Sequence, residues 1–173
     1  MTTPDFVLAL REHVGHAPLN LVGVTAIVFR DEKVLLGKRA DNGAWQAVSG
    51  IVEPGEEPAD AAARECLEEA GVAVKVERLA LVQQLPRVTY ANGDEVDYLD
   101  LVFRCTWVSG EPYPADGELT EVGFYDLAAM GDVDDAHVRK IALAMAEDDP
   151  AHFRGGRPPR AAQPGRPSTT STT

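Results

Sequence analysis

An α/β fold is what this sequence predicts, and three observations predict it. Several runs are β-branched and apolar enough to be strands. Segments near the start, middle and end carry apolar residues at helical spacing. Gly, Pro, Asn and Asp punctuate the junctions between them. In chain order, Thr3-Pro4-Asp5 followed by Phe6, Val7, Leu8, Leu10 and Val14 reads as a short helix. Thr3 would be its N-cap, Pro4 its first helical position, and Gly15 with Pro18 its end. Leu21 to Phe29 reads as a strand, Asp31-Glu32 as a turn, Lys33 to Arg39 as a second strand and Asp41-Asn42-Gly43 as a second turn. Pro58 to Ala70 reads as a helix stopped by Gly71. Val72 to Leu85 reads as one or two strands. Ala91-Asn92-Gly93-Asp94 forms a hairpin turn, leading into a strand over Tyr98 to Val108. Glu121 to Tyr125 makes a last short strand and Ala136 to Ala146 a closing helix.

The 173 residues suit one domain with a short appendage. Apolar residues at 45 % and charged residues at 25 % are ordinary globular proportions. The domain is expected over 1–148, with 1–17 as a helical N-terminal extension. Residues 149–173 are rich in Pro, Gly, Ser and Thr and are expected to be a disordered tail, because so little apolar surface cannot offset the entropy of ordering. The formal charge is −12, yet residues 151–173 contain four arginines and no acid, which leaves −16 on residues 1–150. So acidic a body is a poor non-specific binder of nucleic acid. It suits a protein that recruits cations to handle anionic substrates, and equally one that uses its charge for solubility. Cys66 and Cys105 are too few for a disulfide framework and read as reduced thiols, so a cytoplasmic location is expected. The N-terminus lacks the pattern of a signal peptide. No apolar run approaches the ~18 residues of a membrane span, so no membrane partner is expected.

The chemistry is concentrated between residues 49 and 72. On a helix, Glu65, Glu68 and Glu69 stand at i, i+3 and i+4 and share one face. Ala63, Cys66, Leu67 and Ala70 fall opposite and would pack on a sheet. Three carboxylates in one stripe repel each other, and a hard divalent cation with a preference for oxygen ligands removes that repulsion. Read alone, such a stripe is a solvated acidic face. The preceding loop, Ser49-Gly50-Ile51-Val52-Glu53-Pro54-Gly55-Glu56, changes the balance. Its glycines permit close backbone approach, and Glu56 can pair with Arg64 on the helix or sit favourably near the helix N-terminus.

This stretch resembles the Nudix box. That motif is a glycine, five residues, a glutamate, seven residues, Arg-Glu, an apolar residue, any residue, Glu-Glu, any residue, a glycine and an apolar residue. Gly50, Glu56, Arg64, Glu65, Glu68, Glu69, Gly71 and Val72 fall on it, with Cys66 where an aliphatic residue is usual. The resemblance covers about 130 residues and omits the tail. One departure is Val48-Ser49-Gly50 where many members carry Pro-Gly-Gly. The resemblance implies an α/β/α sandwich, a mixed sheet flanked by helices. It implies Mg²⁺, with Mn²⁺ as a substitute, held by Glu65, Glu68, Glu69 and the Gly50 carbonyl, while Glu56 and Arg64 brace the box. The implied reaction is hydrolysis of the diphosphate linkage in a nucleoside diphosphate joined to another moiety. ADP-ribose, nucleotide sugars, dinucleoside polyphosphates and nucleoside triphosphates are the candidate substrates.

The proton of the attacking water would go to Glu68 or Glu69, or to a glutamate from a later loop, for which Glu118 in Asp116-Gly117-Glu118 is the candidate. Arg39, between a strand and a turn, is a candidate phosphate ligand. Trp45 is a candidate pocket residue whose alternative is core packing, and Tyr90 and Tyr98 are candidates to stack on a base. No histidine shows ligand spacing, so none is assigned a role. A non-catalytic nucleotide sensor on the same fold would tolerate erosion of the three carboxylates, and all are present. An isomerase of the same fold would need a cysteine and glutamate pair that has no clear counterpart. The expected partner is a small nucleotide-type substrate, and a homodimer is compatible with the family.

Overall fold

The structure, a computed structural model, describes residues 3–127, 133–153 and 155. The chain runs α1 (Asp5–Val14), β1 (Leu19–Arg30), β2 (Lys33–Arg39), β3 (Trp45–Gln46), β4 (Val48–Ile51), α2 (Pro58–Ala70), β5 (Ala73–Gln84), β6 (Val88–Thr89), β7 (Glu95–Ser109), β8 (Leu119–Asp126), α3 (Asp135–Met145) and β9 (His152–Phe153). The strands form one mixed sheet in the order β3-β2-β1-β7-β5-β9, with β4 also on β1, β6 on β7 and β8 on β2. β1 and β7 lie parallel at its centre, in register from Leu19↔Val96 to Phe29↔Thr106.

A nearly continuous apolar run is what a strand covered on both faces requires, and β1 meets that requirement. Val24, Ala26 and Val28 point into a core shared with Ala61, Ala62, Cys66 and Ala70 of α2. Ile27 and Phe29 point into a second core, shared with Ile141 and Ala144 of α3. The helices therefore cover opposite faces, giving the α/β/α sandwich. α1 closes a smaller cluster of Val7, Leu21, Ile51 and Val96.

Four details differ from the sequence expectations. Pro4, not Thr3, occupies the N-cap position of α1, with no side-chain cap, and the Val7 and Leu8 amides donate to the Pro4 carbonyl. On α2, Leu67 is 59 % exposed whereas Glu69 is 3 % exposed. The inward arc runs through residues 61, 62, 66, 69 and 70, which carries Leu67 round to solvent and turns Glu69 toward the sheet. The loop before α2 is partly strand: β4 pairs antiparallel with β1, placing Gly50 opposite Val24. Finally, ordered chain passes residue 148, because Leu81 and Val82 of β5 pair in parallel with His152 and Phe153. Residues 156–173 lie outside the described residues.

The last carbonyls of a helix need partners, and for α3 two arginines from the sheet supply them. Arg78 donates to the Leu143 and Ala146 carbonyls, and Arg104 donates to those of Ala144 (2.9 Å) and Met145 (3.1 Å). These bonds tie α3 to β5 and β7. Cys66 and Cys105 are free and buried. Among the described residues no helix is long and apolar enough to cross a membrane.

Candidate active site

Gly50 sits on β4, held by its pairing with β1, and faces α2. A Cβ there would lie 1.9 Å from the Glu65 carboxylate, so only glycine lets that side chain lie against the strand. Gly50→Ala is therefore expected to displace the Glu65 carboxylate and remove most of any activity while the fold persists. Activity assays beside circular dichroism check this, and full activity in the variant would show that the contact is dispensable.

Arg64 is the hub of the box. Its Nε donates to Glu56 Oε1 (2.8 Å) and its second terminal nitrogen donates to Glu56 Oε2 (3.1 Å), a two-pronged pairing of guanidinium and carboxylate. The same nitrogen reaches the Ile51 carbonyl (3.2 Å), and the other terminal nitrogen donates to Glu65 Oε1 and Glu68 Oε2 (both 2.9 Å). Glu56 in turn accepts the Glu53 amide (3.0 Å). One side chain thus ties loop, strand and helix together. The bonds to Arg64 hold the Glu56 carboxyl below its ordinary range.

The C-terminal half of α2 is crossed by the segment leading into β8. The Tyr113 amide donates to the Ala70 carbonyl and the Ala115 amide to that of Glu69, each at 3.1 Å. That crossing carries Asp116 and Glu118 up to the box. Burial pushes the Glu65 carboxyl up to about 7, against the pull of Arg64, and neighbouring Glu68 and Glu118 add to the rise. Burial pushes Glu69 up to about 9, reinforced by Glu65, Glu118 and Asp116. Among the described residues no three acids, histidines or cysteines form a ready-made metal cage. In this conformation Arg64 holds Glu65 and Glu68, while Glu69 turns toward the sheet. The donors are nonetheless all oxygens, and the acids among them repel one another, a set that suits a hard divalent cation.

A cavity of about 310 Å³ opens here, lined by Arg39, Gln46, Glu69, Asp116 and Glu118. Arg39 forks onto Asp41 and also donates to Gln46 Oε1 (3.4 Å). A second cavity of about 270 Å³ shares Arg39 and Gln46 with the first and runs past Ser49, Gly50, Tyr90 and Tyr98 to His137 and Lys140. The Tyr90 and Tyr98 hydroxyls are hydrogen-bonded to each other at 2.9 Å.

The structure therefore gathers Arg39, Gly50, Glu65, Glu69 and Glu118 in one place, with Glu68 at the more exposed rim. Trp45 is not brought to these cavities. It stands edge-on to Tyr125 (centroids 4.9 Å, 70°) and packs on the core beneath α3. Strand alternation sends its neighbour Gln46 to the cavities instead. Asp116, Gln46, His137 and Lys140 escaped the sequence reading. For the last two a signal existed: residues 137, 140, 141 and 144 form the inward stripe of a helix, and two of the four are polar.

Residues 19–145 match the NUDIX domain model. The chain belongs to the Nudix family. It is 39 % identical over 89 residues to a MutT-like protein of Streptomyces ambofaciens, covering 51 % of this chain and 53 % of that protein. It is 33 % identical over 109 residues to an ADP-ribose pyrophosphatase of Methanocaldococcus jannaschii, covering 61 % and 62 %. The chain thus spans between half and two-thirds of the length of these relatives. A solved NUDIX hydrolase from Nitrosomonas europaea superposes with a TM-score of 0.63 at 27 % identity, covering 78 % of each chain.

Proposed function

We propose that the chain is a Mg²⁺-dependent hydrolase that cleaves the diphosphate linkage of a nucleoside diphosphate joined to another moiety. The observation that carries this reading is the meeting of Glu65 and Glu69 on α2 with Asp116 and Glu118 from the crossing segment, opposite Arg39. Glu65, Glu68 and Glu69, with the Gly50 carbonyl, would hold the metal. When bound, Mg²⁺ would neutralise phosphate charge and lower the pKa of a bound water.

The remaining work falls to side chains. Arg39, kept rigid by Asp41, presents a planar cation to the phosphates. Glu118 or a box glutamate accepts the proton of the attacking water. The Glu56–Arg64 pair positions the box without touching the reacting atoms. The relative from Methanocaldococcus jannaschii supports a nucleoside diphosphate as one half of the substrate.

The direct test is a panel of nucleotide sugars, ADP-ribose, dinucleoside polyphosphates and nucleoside triphosphates, with Mg²⁺ and with chelator. Metal-dependent release of two phosphate-bearing products from at least one diphosphate is expected, and no cleavage across the panel would overturn the proposal.

Metal binding should also show in stability. With pKa values of about 7 and 9, Glu65 and Glu69 keep protons in the folded chain at pH values where an unfolded carboxyl has lost them. That contribution to stability is full below the unfolded carboxyl range. It is lost as pH rises through the folded values. Mg²⁺ competes with those protons, so the rise in melting temperature on adding it should grow between pH 6 and pH 9. A rise independent of pH would place the metal away from these two acids.

A further inference from the structure

The second cavity ends on a charged floor that the diphosphate chemistry does not use. Lys140 is buried beneath it, with its Nζ 2.8 Å from Asp100 Oδ2 and donating to Thr25 Oγ1 at 3.1 Å. Thr25 donates to Asp100 Oδ1 (2.8 Å), and Gln83 donates to Asp100 Oδ2 (3.0 Å). Lys140 and Asp100 are 7 % and 2 % exposed. A buried ion pair of this kind is weak as a stabilising device, since desolvation offsets most of the attraction. Its place at a cavity wall gives it another use.

Asp100 is occupied by three donors. Lys140 has three N–H groups and two partners, so one donor is left over among the described residues. His137 stands one helical turn before Lys140 and lines the same cavity. Its Nδ1 lies 3.0 Å from Asp134 Oδ1. A carboxylate only accepts, so Nδ1 carries the hydrogen and Nε2 is left as an acceptor. Burial holds the ring's pKa below its ordinary value, which keeps it neutral. The cavity is thus lined by one cationic donor and one neutral acceptor, three residues apart on α3. Leu85, Val88 and Tyr98 supply largely apolar walls.

We infer that His137 and Lys140 read the base of the substrate and select one with a carbonyl beside a ring N–H, as in hypoxanthine, guanine or uracil, over an amino base such as adenine. The inference rests on the proposed diphosphate hydrolysis for its geometry, because this cavity shares Arg39 and Gln46 with the one lined by Glu69 and Glu118. A lactam edge places its oxygen toward Lys140 and its N–H toward His137 Nε2. An adenine tethered by its phosphates in the same pose sets its amino donors against the ammonium and its bare ring nitrogen against the imidazole acceptor, and meets both groups only by pivoting to its N7 and amino edge, which displaces the ribose. Lysine recognises the oxo edge of guanine on the same ground in nucleic acids.

The test compares hypoxanthine and adenine forms of one cleaved diphosphate on the wild type, Lys140→Met and His137→Leu. The wild type should favour hypoxanthine by at least about tenfold in kcat/KM, mostly through KM. His137→Leu should bring that ratio close to one, with the change falling mainly on KM. Its backbone amide still donates to Asp134 and keeps the helix cap, so it guards against the case in which Lys140→Met fails to fold. Calorimetric binding of IMP against AMP separates this inference from the hydrolysis itself. A preference for IMP that His137→Leu abolishes supports the base reading even if no diphosphate is cleaved. Equal binding and turnover of the two bases, an adenine preference, or an unchanged ratio in the variants would overturn it.

Discussion

Glu69→Gln is expected to lower kcat by about 10²–10⁴-fold, the range a positioned acid–base or metal-holding carboxylate commands, while the metal-free protein stays folded and becomes more stable. The two effects have one cause. Glu69 is nearly enclosed, among Glu65, Asp116 and Glu118, and its pKa of about 9 means that a proton neutralises it through the neutral range. Glutamine has the shape of that neutral form but cannot ionise. Folding no longer carries the cost of keeping a carboxyl protonated above the unfolded value, so the gain in stability should be small near pH 5 and increase toward pH 9. Each kcal/mol of gain raises the melting temperature by roughly 2–4 °C in a chain of this size. Kinetics with Mg²⁺ and thermal melts without it, at pH 6 and pH 9, check both halves. A variant with wild-type turnover removes Glu69 from the mechanism. A variant that is less stable at pH 9 shows that the buried carboxylate is ionised and paired.

Arg64→Met is the second large change, and here stability and activity should fall together. The substitution keeps length and apolar stem but removes every bond to Glu56, Glu65, Glu68 and the Ile51 carbonyl. Removing one partner of a buried pair leaves the other charge without compensation, at about 3–5 kcal/mol. Arg64 and Glu56 are partly reached by solvent, so a loss nearer 2–3 kcal/mol is expected. A double-mutant cycle with Glu56→Gln isolates the pair. Coupling clearly above the ~0.2–1 kcal/mol of exposed ion pairs shows that it acts as a brace. Coupling within that range reduces it to a surface contact. Arg64→Lys should recover little, because an ammonium cannot fork onto both oxygens of Glu56.

The long strands and the helix at Pro58–Ala70 were readable because each carries its own pattern: β-branched runs, a proline at the helix start and glycine at Gly71 in a left-handed turn (φ 68°). The spacing of Gly50, Glu56, Arg64, Glu65, Glu68 and Glu69 was readable for the same reason, since a helix converts spacing into a shared stripe. The two-residue strands Trp45–Gln46, Val88–Thr89 and His152–Phe153 were not readable, because two residues hold no period and exist only through their neighbours.

What the sequence determined by itself was thus the α/β composition and the chemical content of the box. Only the tertiary structure decided which side chains meet. Backbone bonds from Tyr113 and Ala115 to α2 bring Asp116 and Glu118 to Glu69. The pairing of β4 with β1 sets Gly50 against Glu65. The arc of α2 buries Glu69 and exposes Leu67, and the docking of α3 by Arg78 and Arg104 puts His137 and Lys140 under the second cavity. Local periodicity records how a residue sits on its own element. Long-range hydrogen bonds and packing set where that element lies, and no local pattern encodes them.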